Sequence, residues 1–387
     1  MSDGFTKSGI DHLHAVAEQH VGDGLVPGLV ALVARGEHVH VEALGQLTID
    51  GPPVSRDSIF RISSTSKPIT AAATLALVDE GLINLDEPVD ALVPELADRR
   101  VLERMDGPLD ETVPAQRSIT PRDLLTFTFG FGMVLEMFMA STPWPVLIAD
   151  RELELHTIGP PQPELQPDIE TWIAHLGRLP LLAQPGERWM YNTGASVAGV
   201  LCTRAANQSF PDVLSSRVFE PLGMRDTGFF TAATERLATS YRGGPDGLIV
   251  RDPPDGAWSR PPAFPDGAAG LVSTADDLLA FARMLLEDGS GVLSPESARA
   301  MRTDQLTPEQ KARGGLGSNF FRSLSWSFGQ AVHDDGSFGW DGGLGTTWRV
   351  DPTRDLVVVV LTQRMFETHE PPQVHGDIRA AAYAALA

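Results

Sequence analysis

The strongest strand signals of this chain lie at its two ends, with helical patterns between them. Residues 29–34 (LVALVA) form a short apolar run and 38–43 (HVHVEA) alternate as a half-buried strand does. Together they predict a hairpin around Arg35-Gly36-Glu37. Near the other end, 345–350 and 356–362 (LVVVVLT) predict two strands turned at Asp351-Pro352. Between these, Ile69, Ala72, Ala73, Leu75, Ala76, Leu77 and Val78 mark a helix from Ser66 that stops at Gly81. Further helical stretches are 121–127, 168–178 and 194–206, and 274–286 opens on an N-cap Thr274 with Asp276 and Asp277 in the first turn. Short helices at 8–20 and 376–386 flank the whole, and the Gly-, Pro- and Asp-rich stretch 243–267 reads as a long surface loop. If the terminal strands share one sheet, the middle is an insertion. The expected fold is α+β: an antiparallel sheet flanked by helices from residues 1–84 and 240–387, plus an inserted mainly helical lobe from 85–239. A cleft where sheet meets helices is the natural place for a site.

The 387 residues are 42% apolar, enough for a sizeable core. Lys plus Arg number 30 against 51 Asp plus Glu, a formal charge of −21, which repels phosphates and anionic lipid and argues against nucleic-acid binding. The single cysteine, Cys202, permits no internal disulfide and no CxxC pattern. No run approaches the length of a membrane span, and the N-terminal residues do not read as a secretory signal, so a soluble cytoplasmic protein is expected. His12 with His14, and His38 with His40, have the spacing of paired metal ligands. No nearby carboxylate or third histidine completes either set, so they read as solvated faces and no metal is expected.

Lysine is scarce, and the scarcity is informative. Lys7 and Lys311 sit in polar surroundings, whereas Lys67 opens the most apolar helix in the run Ser64-Thr65-Ser66-Lys67. Positions i and i+3 share a helix face, so the Ser64 hydroxyl and the Lys67 amine can meet. A lysine desolvated in an apolar cleft loses proton affinity and can serve as the base that a serine nucleophile needs. Ser64 at a helix N-terminus would also find N–H groups for a developing oxyanion. Taken alone, the motif reads equally as a capping serine and a solvated lysine. A second element, Pro185-Gly186-Glu187-Arg188-Trp189-Met190-Tyr191-Asn192-Thr193-Gly194, places one of three tyrosines just before a helix. Beside a cationic lysine its phenol would fall in pKa and relay protons; alone it reads as a core tyrosine. The third element, Phe338-Gly339-Trp340-Asp341-Gly342-Gly343-Leu344-Gly345, has glycines that let a backbone approach another group closely. Alone it reads as a glycine-rich hairpin.

In this order the three elements resemble the serine β-lactamase and penicillin-binding-protein superfamily, whose motifs are Ser-x-x-Lys, Tyr-x-Asn and Lys-Thr-Gly. The first is intact as Ser64 to Lys67, the second keeps Tyr191 but has Thr193 for the asparagine, and Trp340-Asp341-Gly342 keeps only the glycine of the third. Thr120 to Gly130, the Pro185-Gly186 turn and Ala269 to Leu278 resemble the class C-like branch, so the likeness spans roughly residues 25–380. The Trp-containing third motif resembles family VIII carboxylesterases, and the elbow Gly-x-Ser-x-Gly of α/β-hydrolases does not occur. The resemblance implies a serine hydrolase that cleaves short-chain carboxylic esters through an acyl-enzyme on Ser64. Lys67 and Tyr191 would act as general base and acid, the backbone N–H groups of Ser64 and Gly343 would bind the oxyanion, and Trp340, Asp341 and Gly342 would line the substrate. It implies a small-molecule ester as partner and no cofactor. Trp340 and Asp341 stand where β-lactamases place a carboxylate-binding cation, although an arginine elsewhere, such as Arg349, could restore one. The alternatives are a β-lactamase, a D-amino-acid amidase or peptidase, or an acyltransferase using the same acyl-enzyme; a non-catalytic binder would be expected to have lost Ser, Lys or Tyr.

Overall fold

The strand β1 (Gly28–Arg35) is buried on both sides. Leu29, Ala31 and Val33 enter one apolar cluster while Val30, Leu32 and Ala34 enter another, as the period of two requires. Such a strand belongs in the middle of a sheet with a layer on each face, and its sequence is therefore a continuous apolar run. The computed structural model of the protein describes residues 4–317, 319–368 and 370–387. Its main sheet consists of β1, β2 (His38–Gly45), β3 (Leu324–Trp326), β4 (Ala331–His333), β5 (Phe338–Gly342), β6 (Thr346–Asp351) and β7 (Leu356–Thr362). The spatial order is β2-β1-β7-β6-β5-β4-β3, antiparallel throughout. The two chain ends meet where β1 pairs with β7 in the register Val30↔Leu361 to Ala34↔Val357.

Five of its helices are α1 (Lys7–Gly22), α2 (Ser66–Asp79), α3 (Thr193–Ala206), α4 (Ala275–Leu286) and α5 (Gln373–Ala384). Leu13 and Ala17 of α1 and Val374 and Ile378 of α5 cover one face of the sheet. Phe281, Ala282 and Leu285 of α4 pack with Val30, Leu32 and Val359 on the other. Each of the larger buried aliphatics contributes about 1.5–3 kcal/mol by leaving water. Every residue of α2 from Ser66 to Leu77 is buried, which is the setting for a helix that is apolar all round. Thr274 caps α4 as expected, accepting from the Asp277 N–H. Among the described residues no helix is long and apolar enough to cross a membrane.

The third motif is a glycine-rich hairpin, as its sequence reads: Phe338–Gly342 forms β5 and pairs with β6 through Trp340↔Trp348. One sequence expectation changes. The stretch 243–267 is not all loop, because Ser240–Gly244 and Gly247–Asp252 form a hairpin. Its Gly and Pro signals belong to the turn and to the chain beyond Asp252. Tyr241 ties the hairpin to the end of the sheet: its N–H donates to the Gln363 carbonyl at 2.8 Å, and its carbonyl accepts from the Met365 N–H at 2.8 Å.

Candidate active site

The chain reaches α2 through a single 3-10 turn, Ser63–Thr65. Ser63 holds φ at +48°, a left-handed value that costs a non-glycine residue about 1–3 kcal/mol. One turn further on, the Lys67 Nζ lies 2.8 Å from the Ser64 Oγ and 2.8 Å from the Ala268 carbonyl oxygen. The i, i+3 contact expected from the sequence is thus made. Lys67 is completely buried, and burial lowers its pKa to about 7, an effect partly offset by the charge of Asp266.

Tyr191 is held by a two-way backbone bridge to Met133, with N···O distances of 2.8 and 2.9 Å. Its ring centre lies 4.6 Å from the Lys67 Nζ. The Tyr191 hydroxyl accepts a 2.7 Å hydrogen bond from the indole N–H of Trp340. Burial drives the Tyr191 pKa upward, against smaller lowering effects from Ser64 and Trp340. This corrects the expectation of a lowered phenol: the buried lysine is easily neutral and supplies little cationic pull. Asn192 carries φ +86° and lines the cavity, its Nδ2 donating to the Thr157 carbonyl at 2.9 Å. Thr193, at the position where the superfamily motif has asparagine, starts α3 and is wholly buried. The polar side chain presented to the cavity here is therefore that of Asn192.

Gly342 explains how β5 comes so near the serine. A Cβ on it would stand 2.2 Å from the Ile62 carbonyl oxygen and 2.9 Å from the Thr65 Oγ1. Gly343 follows with open space where a side chain would be, and it lines the cavity together with Ser64. Trp340 does more than line the substrate, the role the resemblance implies, since its N–H reaches the tyrosine. Trp326 packs edge-on against it at 4.7 Å.

Ser64, Tyr191, Trp340, Asp341 and Gly343 share one cavity of about 750 Å³. Met133, Leu316 and Phe320 add apolar wall, and His333, Arg349 and Arg379 form a polar end that includes the arginine singled out from the sequence. Asp341 and Arg349 lie on the same face of adjacent strands, opposite Thr347 and Gly339 respectively. The histidines away from the cavity need one correction. Glu42 does place a carboxylate beside them, 2.9 Å from the His14 Nδ1 and 2.6 Å from the His40 Nε2. It raises the His14 pKa. Among the described residues no group of three such side chains is arranged to hold a metal.

Residues 13–383 match the Beta-lactamase family. The chain belongs to that family. Esterase EstB of Burkholderia gladioli is 33% identical over 402 residues, covering 96% of this chain and 94% of its own. Protein Rv1367c of Mycobacterium tuberculosis is 38% identical over 361 residues, covering 88% and 86%. Among solved structures, EstCE1, described as a hydrolase with promiscuous acyltransferase activity, superposes with a TM-score of 0.78 at 26% identity over 97% of this chain and 99% of its own. This β-lactamase-family chain is thus a serine hydrolase with the β-lactamase-like fold, and its relatives include esterases. The Trp340–Tyr191 contact had no sequence signal of its own, because nothing in the spacing of residues 191 and 340 marks them as neighbours.

Proposed function

We propose that the protein is a carboxylesterase that hydrolyses short-chain, neutral esters through an acyl-enzyme on Ser64. The observation that carries this reading is the buried amine of Lys67, 2.8 Å from the Ser64 hydroxyl and with a pKa near 7. A neutral amine there takes the hydroxyl proton as Oγ attacks the ester carbonyl. The N–H groups of Ser64 and Gly343 receive the oxyanion. Tyr191, whose burial keeps it a phenol, donates its proton to the departing alkoxide and is reprotonated by the Lys67 ammonium. Two neighbouring groups whose environments push their pKa values apart divide into base and acid in this way. Water then repeats the sequence on the acyl-enzyme, with the proton returning to Ser64. The likeness to EstB supports an ester over an amide, and the apolar wall of Met133, Phe320 and Trp340 suits a neutral acyl group.

A fluorophosphonate followed by peptide mass spectrometry tests the nucleophile. The adduct is expected on Ser64, and Ser64→Ala is expected to lose nearly all hydrolysis of a p-nitrophenyl ester while keeping its fold. An adduct on Ser63 or Ser66, or activity within tenfold of wild type, would falsify the assignment.

A further inference from the structure

We propose that Asp266 is a positioning residue that sets the proton affinity of Lys67, by its charge and by fixing the carbonyl on which the amine rests; this rests on the reading of Lys67 as the base. Asp266 is buried at 8% exposure, and its Oδ1 accepts from the Ser196 Oγ of α3 at 2.6 Å and from the Ala268 N–H at 2.9 Å. The carbonyl of that same Ala268 accepts from Lys67. Carboxylate and amine therefore hold the two ends of one residue's backbone. The segment is clamped on both sides. The Thr70 Oγ1 of α2 donates to the Gly267 carbonyl at 2.7 Å, and a Cβ on Gly267 would meet the Ala195 carbonyl oxygen at 2.7 Å.

The leading turn of α2 brings Ser64 to the Lys67 amine. The bridge before α3 brings the Tyr191 phenol, and α3 brings Ser196, which carries no charge. Asp341 of β5 bears on Tyr191. Asp266 is the charged group that offsets the burial of Lys67; burial raises the Asp266 pKa in turn, against the lowering effects of the Ser196 and Ala268 donors and of Lys67. A proton moving from the Ser64 Oγ to the Lys67 Nζ creates a buried ammonium, which is costly without a counter-charge. Asp266 in its carboxylate form supplies that counter-charge and lies off the path of the transferred proton.

The experiment is the pH dependence of the rate at which an alkyl fluorophosphonate labels Ser64 in the intact protein. Labelling requires neutral Lys67, so the rate rises with pH through its pKa. Asp266→Asn keeps the shape and removes the charge, so the ammonium is less favoured and the midpoint is expected to fall by about 0.5–1 pH unit. Ser196→Ala releases one donor from the carboxylate, favours its protonated form and shifts the midpoint in the same direction by less. A merely structural aspartate would slow labelling equally at every pH. A midpoint within about 0.2 units of wild type in Asp266→Asn overturns the proposal. Should that variant not fold, an unmoved midpoint in Ser196→Ala overturns it. A wild type that labels at Ser64 but cleaves no ester would sink the esterase reading and leave this one testable.

Discussion

Lys67→Arg separates charge from basicity. Guanidinium stays protonated at any accessible pH, so the variant keeps a cation near Ser64 but cannot take its proton. It is expected to be as inactive as Lys67→Ala in p-nitrophenyl ester hydrolysis, and substantial activity would mean that charge alone suffices. In the wild type the sign is fixed by the lowered pKa of about 7: below it the amine is protonated and activity falls, above it the base is free. Tyr191→Phe keeps the ring against Trp189 and Trp326 and deletes only the hydroxyl. A general acid supplies about 10² to 10⁴ in rate. A loss in that range with a nearly unchanged melting temperature is expected, and equal activity would reduce Tyr191 to a structural side chain.

The third motif works because two elements touch. Gly342→Ala would drive a methyl into the Ile62 carbonyl at the turn that carries Ser64. Overpacking of this kind costs about 1–3 kcal/mol. A lowered melting temperature together with a slower Ser64 labelling rate is expected; a variant unchanged in both would show that β5 has room to move. The sequence pattern made part of this site legible. The Ser64–Lys67 pair is local, so helix spacing alone brought it together, and the glycines of β5 announced a close approach. The contacts between distant segments were not legible. Trp340 donating to Tyr191 requires the sheet to be folded, and so does Asp266 lying behind Lys67. The hairpin at 240–252 was hidden because Gly243, Gly244, Pro245 and Gly247 dominate its composition and its second strand is largely exposed. A lone two-stranded hairpin is marginal, and this one borrows stability from a buried ion pair. The Arg61 Nε donates to the Asp252 Oδ2 at 2.8 Å, and its guanidinium stands 5.4 Å from the Trp258 ring centre. Arg61 lies three residues before Ser64, so a segment that reads as surface loop braces the strand leading to the serine.

Substrate class is decided by the charge of the whole cleft and not by any one group. Trp340 removes the cation of the third motif, yet Arg349 lines the same cavity, so a carboxylate is not without a possible partner. Burial lowers the Arg349 pKa, and Asp341, on the same sheet face, is the charge that most opposes that effect. An incoming carboxylate would meet Asp341 in the same cavity as Arg349, on a molecule of net charge −21. The long-range part is screened over about 8 Å at physiological salt, so the charges lining the cavity dominate. Arg379 also lines this cavity, so a carboxylate is disfavoured to the extent that Arg349 and Arg379 leave its desolvation, several kcal/mol, uncompensated, a cost that a neutral ester does not meet. The expected outcome is that kcat/KM for p-nitrophenyl butyrate exceeds that for nitrocefin by at least about 10², or roughly 2.7 kcal/mol of transition-state stabilisation. Asp341→Asn removes a negative charge from the cavity, so it should narrow this gap mainly by raising efficiency on the carboxylate-bearing substrate. Comparable wild-type efficiencies on the two substrates would mean that Arg349 or Arg379 binds the carboxylate despite Asp341, and the β-lactamase reading would then replace the esterase.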